Sequence, residues 1–134
     1  MENVNMRLHH IGVAVFSFAS SVPFYESLGY VKCEEIYDPE QNVEVCVLRH
    51  PESTCIELLA PHDENSPINN ILKKSGTSPY HICYEVDNIE DRYAELKKQK
   101  FMPVSKIKVS NAFDNHKVCF FFKKDIGLIE IIQR

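Results

Sequence analysis

Ile11, Val13 and Val15 alternate with Gly12 and Ala14, and the same period of two returns where Ile82, Tyr84 and Val86 alternate with Cys83 and Glu85. Alternation marks strands, whose successive side chains point to opposite faces. Val43 to Leu48 and Val118 to Phe122 are apolar runs rich in β-branched and aromatic residues, and they predict strands as well. Elsewhere the period is helical. Ile89, Tyr93 and Leu96 stand at i, i+4 and i+7, with Asn88 placed to cap, acidic Glu90 and Asp91 in the first turn, and Lys97, Lys98 and Lys100 at the end. An earlier helix is predicted to use Ser20 or Ser21 as N-cap, to take Pro23 in its first turn and to stop at Gly29. A short third helix carrying Ile68, Ile71 and Leu72 is expected between Ser66-Pro67 and Gly76.

These elements repeat. His10-Ile11-x-x-x-Val15 is echoed 71 residues later by His81-Ile82-x-x-x-Val86. At an offset of 73, Val45-Cys46-Val47 matches Val118-Cys119-Phe120, and Cys55-Ile56-Glu57-Leu58-Leu59 matches Leu128-Ile129-Glu130-Ile131-Ile132. Each half reads His-strand, helix, strand, strand, Glu-strand, and a duplicated module is the economical explanation. A half of about 60 residues buries too little surface to be comfortably stable alone. The 134 residues are therefore expected to form a single domain: module 1 over 6–62, a linker helix over 63–78 and module 2 over 79–134.

Composition narrows the partners. A hydrophobic share of 44% with 25% charged residues describes an ordinary globular core, and a net charge of -4 lacks the basic excess that phosphate backbones demand, so no nucleic acid is expected. Leu8 to Tyr25 has no Asp, Glu, Lys or Arg over 18 positions, approaching the length of a membrane span. Two His, three Ser, a Gly and a Pro inside it, and its counterpart in the repeat, mark it as folded strand and helix rather than a membrane segment. Five cysteines, an odd number with no C-x-x-C spacing, predict reduced, packing thiols in a cytoplasmic protein rather than disulfides or a thiolate zinc site.

The duplication supplies two His and two Glu: His10, Glu57, His81 and Glu130. A carboxylate set between Ile56 and Leu58, and again between Ile129 and Ile131, is expensive to bury uncompensated, and a lone instance would be read as pointing to solvent. Repetition at matched positions reverses that reading and points to a cation. One divalent ion neutralises two carboxylates while the imidazoles stay neutral. His9 competes with His10, but its counterpart in the repeat is Tyr80, so symmetry selects His10. His50, His62 and His116 have no counterparts and are expected in exposed turns.

The residues that carry these signals also resemble a known family. His10-Ile-Gly-Val-Ala-Val, Phe24-Tyr25 with Leu28-Gly29, Ile56-Glu57-Leu58-Leu59-Ala60-Pro61, Ser66-Pro67-Ile68, His81-Ile82-Cys83-Tyr84-Glu85-Val86-Asp87 and Leu128-Ile129-Glu130 resemble the vicinal oxygen chelate superfamily over nearly the whole chain. Within it the likeness is to methylmalonyl-CoA epimerases and glyoxalase I. The resemblance implies an α+β fold of two tandem βαβββ modules forming a cupped mixed sheet around one metal, with His10, Glu57, His81 and Glu130 at the four ligand positions. It leaves open whether modules pair within one chain or across a homodimer.

Four protein ligands leave two positions of a six-coordinate ion for a substrate carbonyl and a neighbouring oxygen. The nitrogen and oxygen donors suit Co, Ni, Mn, Fe or Zn. Such an ion polarises the carbonyl and stabilises the enolate formed when an α-proton leaves. By resemblance to glyoxalase I the first choice of base is Glu130, with Glu57 second. The leading expectation is thus a metal-dependent epimerase or isomerase acting on an acyl-CoA thioester, and the next is glyoxalase I (lactoylglutathione lyase) chemistry on a thiol–methylglyoxal adduct. An extradiol dioxygenase using His10, His81 and Glu130 is opposed by Glu57 as a fourth ligand, and a non-catalytic drug-binding protein of this fold would need no ligands at all. Two departures stand out. Counting from Pro39-Glu40-Gln41 places Val45 where related epimerases carry a further acid and sets Glu44 one residue away, on the other strand face. The usual His-Pro turn before the last strand is replaced by Phe122-Lys123-Lys124-Asp125-Ile126-Gly127. Residues 33–42 and 105–116 read as unpatterned pocket-lining loops, and Lys73, Lys74, Lys106 and Lys108 as a solvated face rather than contacts to a phosphorylated cofactor tail.

Overall fold

A computed structural model of the chain describes residues 6–134. The first half contains β1 (Arg7–Ala14), α1 (Phe18–Ser27), β2 (Val31–Asp38), β3 (Val43–His50), β4 (Ser53–Pro61) and α2 (Ile68–Ser75). The second contains β5 (Ser78–Val86), α3 (Ile89–Lys98), β6 (Met102–Pro103), β7 (Lys108–Val109), β8 (Lys117–Lys123) and β9 (Gly127–Gln133). The described residues form two compact units, one of His10–Tyr80 and one of His81–Arg134 together with the residues up to His9. Among the described residues no helix is long and apolar enough to cross a membrane.

In the first unit the strand order is β2-β3-β4-β1, with β1 parallel to β4 and the other pairs antiparallel. In the second it is β5-β9-β8-β6, with β5 parallel to β9 and β7 also pairing β8. Each unit is thus a small, open, mixed sheet that opens on a His-strand and closes on a Glu-strand side by side with it. The α+β class and the βαβββ order follow the sequence expectation.

Period-two alternation decides where each core lies. Val13, Val15, Cys46, Leu48, Leu58 and Ala60 share one sheet face and pack with Val22, Phe18 and Tyr25 of α1. In the second unit Val86, Cys119, Phe121, Ile129 and Ile131 do the same with Ile89, Leu96 and Tyr93 of α3. Each fully buried Leu or Ile contributes about 1.5–3 kcal/mol. His10 and Glu57 have the opposite parity to the first cluster, as His81 and Glu130 do to the second, so all four stand on the face away from their own helix.

Local chemistry explains the helix ends. Asn88 caps α3 as expected, its side chain accepting from the Asp91 amide at 2.9 Å. α2 follows Ser66-Pro67 and ends at Gly76, whose φ is +67°. α1 departs from expectation: its N-cap is Ser17, in extended conformation, and Pro23 lies inside the helix rather than in its first turn. Phe18 and Val22, one turn apart, dock on the core cluster, and this packing starts the helix earlier than the Ser20-Ser21 signal suggests.

Two strands also differ from expectation. Residues 33–42, expected as a loop, are mostly β2, with only 39–42 left as a turn in which Asp38 Oδ1 accepts from the Glu40 and Gln41 amides. β2 is an edge strand exposed over most of its length, so no buried face imposes a period on its side chains. The corresponding strand of the second unit is broken into β6 and β7. Pro103 has no amide proton to give, and just beyond it Ser105 Oγ, a side-chain atom, accepts from the Phe120 amide at 3.0 Å.

The three unmatched histidines are not simply exposed turn residues. His50 closes β3, donating from Nε2 to the Leu28 carbonyl at 3.0 Å while Nδ1 accepts from the Glu52 amide at 3.0 Å. Half-buried His116 donates from Nδ1 to the Gln133 carbonyl at 2.7 Å. His62 alone fits the expectation, exposed beside Glu44 at 3.2 Å and against the Tyr37 ring. Of the cysteines, all free, Cys46, Cys83 and Cys119 are buried and Cys55 is half-buried, but Cys33 is exposed on β2. Burial pushes the Cys46 and Cys55 thiols up to about 11, which keeps them protonated at neutral pH.

Gly29 ends α1 at φ +97°, and a Cβ there would meet His50 Nε2 at 2.8 Å. Gly29→Ala should therefore lower stability by about 1–3 kcal/mol in thermal or urea unfolding. Adding His50→Ala should recover the part due to the clash and leave the backbone strain.

Candidate active site

Parallel pairing of β1 with β4 sets Gly12 opposite Glu57 and His10 opposite Cys55. Parallel pairing of β5 with β9 sets Cys83 opposite Glu130. In both units the residue two beyond the His faces the Glu, so His and Glu project from one sheet face on adjacent strands. The repeat noticed in the sequence is thus a repeat of register.

The consequence is two His–Glu pairs. His10 Nε2 lies 3.6 Å from Glu57 Oε1, and His81 Nε2 lies 3.2 Å from Glu130 Oε1. His10 is 0% exposed, Glu57 6%, His81 2% and Glu130 5%, which removes the solvent-facing reading of both carboxylates. A buried carboxylate beside an imidazole carries a desolvation cost that a salt bridge recovers only in part. Each pair offers one imidazole nitrogen and one carboxylate oxygen, the donor types that first-row divalent metals accept. His10 pairs with Glu57 and His81 with Glu130, whereas His9 sets its ring T-shaped against Phe113 at 4.9 Å.

The strand register also separates Glu44 from this face. Val45 stands opposite Leu59 and Val47 opposite Glu57, while Glu44 is opposite Ala60. Glu44 therefore points to the other side, where it meets His62. The segment replacing the His-Pro turn is a tight reversal, in which the Ile126 amide bonds the Lys123 carbonyl at 3.0 Å and Gly127 takes φ +93°. Lys73 and Lys74 fall in the last turn of α2, where they oppose the helix dipole.

Sequence reasoning missed one residue at this face. Phe120 stands opposite Glu130 and meets His81 in a T-shaped contact, with ring centroids 5.3 Å apart. Its counterpart by the repeat is Val47, and that difference beside the matched Val-Cys dipeptides was the available signal.

The profile of the Glyoxalase/Bleomycin resistance protein/Dioxygenase superfamily matches residues 9–120, and the chain belongs to that superfamily. Relatives of the chain include methylmalonyl-CoA epimerases. The chain is 36% identical over 131 residues to human mitochondrial methylmalonyl-CoA epimerase, covering 95% of this chain and 73% of the relative. It is 36% identical over 85 residues to the ethylmalonyl-CoA/methylmalonyl-CoA epimerase of Cereibacter sphaeroides, covering 62% of this chain and 63% of that one. The crystal structure of methylmalonyl-CoA epimerase from Mycobacterium tuberculosis superposes with a TM-score of 0.84 at 27% identity, covering 94% of this chain and 86% of the other.

A mutant cycle on His81 and Glu130 tests the pairing. In metal-free protein, His81→Leu alone should leave Glu130 buried without its imidazole and cost about 3–5 kcal/mol. Glu130→Leu added to it should recover part of that loss, with a coupling of about 1–3 kcal/mol in chemical unfolding. Strictly additive losses would show that the two side chains do not interact.

Proposed function

We propose that this chain is a metal-dependent epimerase that removes and returns the α-proton of an acyl-CoA thioester of the methylmalonyl-CoA kind. One observation carries the reading: two buried His–Glu pairs of identical register in a chain whose relatives are epimerases. His10, Glu57, His81 and Glu130 would together hold one divalent ion, Co, Ni, Zn, Mn or Fe. The donor set fits: two neutral imidazoles bring no charge and two carboxylates cancel that of the ion, which removes the cost of burying them. When bound, such an ion supplies Lewis acidity that polarises a carbonyl and offsets negative charge growing on its oxygen.

The remaining chemistry belongs to the side chains. Glu130 is the first choice to take the α-proton onto a carboxylate oxygen and Glu57 the second, each being a carboxylate placed beside the ion the four residues would hold. Return of the proton to the opposite face of the α-carbon inverts the centre. The relatives' names favour the thioester over the thiol–methylglyoxal adduct.

Methylmalonyl-CoA incubated in deuterated water with metal-loaded protein should gain deuterium at the α-carbon, followed by NMR. Chelation should abolish the exchange, and Glu130→Ala or Glu57→Ala should each slow it by about 10²–10⁴-fold. Exchange that is absent with every one of the five ions would contradict the reading.

A further inference from the structure

We propose that Phe120 is a positioning residue of this site: its ring holds the His81 imidazole with Nε2 on Glu130. The inference rests on reading the pairs as metal ligands, and it concerns how the chain shapes them.

β9 runs between β5 and β8. His81 projects from β5 and Phe120 from β8 on the strand face that bears Glu130, and their rings meet at 5.3 Å with planes 83° apart. A ring packed this way removes rotamers from the imidazole, and the T-shaped arrangement is itself favourable. Phe120 is only 6% exposed, so it has little freedom to swing away.

The backbone at Phe120 is secured where the neighbouring strand is broken. The Val104 amide donates to the Phe120 carbonyl at 2.8 Å, and the Phe120 amide donates to Ser105 Oγ at 3.0 Å. Ser105 thus substitutes a side-chain acceptor for a missing ladder carbonyl at a residue whose ring touches a proposed ligand.

The first unit differs at this position. Val47 is the counterpart of Phe120 and stands opposite Glu57, but a valine has no ring to set against His10. A strand needing only apolar packing could carry valine in both halves. Groups that orient a metal-ligating histidine typically alter affinity about 10–100-fold when removed.

The test uses Phe120→Leu, which keeps apolar bulk, and Phe120→Tyr, which keeps the ring. Co²⁺ dissociation constants by chelator competition should rise about tenfold in Phe120→Leu and stay within about threefold of wild type in Phe120→Tyr. In metal-free protein the His81 ring proton resonances should shift and broaden in Phe120→Leu but not in Phe120→Tyr. Unchanged Co²⁺ affinity and unmoved His81 resonances in a folded Phe120→Leu would overturn the inference, as would Phe120→Tyr binding as weakly as Phe120→Leu. A wild-type chain that retains no Co²⁺ overturns the proposed function instead, and the His81 resonances then still judge whether the ring fixes the imidazole.

Discussion

Burying a carboxylate inside an apolar strand is the constraint on which this molecule turns. Taking an ionised Glu out of water costs several kcal/mol after relaxation, and an imidazole alongside returns only part of that. Glu57 and Glu130 nevertheless stand buried between isoleucine and leucine neighbours, each beside one buried histidine. A fold tolerates such a pair where something beyond stability keeps it, and a divalent ion is the compensation that nitrogen and oxygen donors invite. The parallel register of each His-strand with its Glu-strand, the helix packed on the opposite face and the tight turn at Gly127 all fix where these four side chains project.

Parallel pairing is the device that makes this possible. Strands joined in parallel need a long crossover, and in each half that crossover is a helix and intervening strands, which bring a residue near the start of the module beside one near its end. His10 and Glu57 are thereby neighbours across a strand pair although far apart in the chain, and so are His81 and Glu130. Duplicating the module duplicates the arrangement, and Phe120 against Val47 shows where the copies have diverged.

Most of this was legible in the sequence because the repeat converts weak local signals into strong ones. Neither the Glu in Ile56-Glu57-Leu58 nor the His before Ile11 is informative alone, but the same pair at matched offsets selected the residues that the strand register brings together. Asn88, Gly29 and Gly76 were readable because caps and positive φ values have few chemical solutions. What escaped depends on tertiary packing. α1 begins at Phe18 because Phe18 and Val22 dock on the sheet, β2 carries no period because neither face is buried, and the second half lost a continuous second strand where Pro103 has no amide proton to pair. Phe120 was hidden in a run of three phenylalanines, and only the register shows that the first of them faces Glu130 while the next faces the core.

The central claim is that the two buried pairs are ligands of one ion. X-ray absorption at the cobalt edge of Co²⁺-loaded protein tests it most directly. The account predicts a shell of nitrogen and oxygen only, with outer-shell scattering from two imidazoles that falls to one in His10→Ala and likewise to one in His81→Ala. A sulfur scatterer from any of the five cysteines, or an imidazole signal insensitive to either substitution, would contradict it.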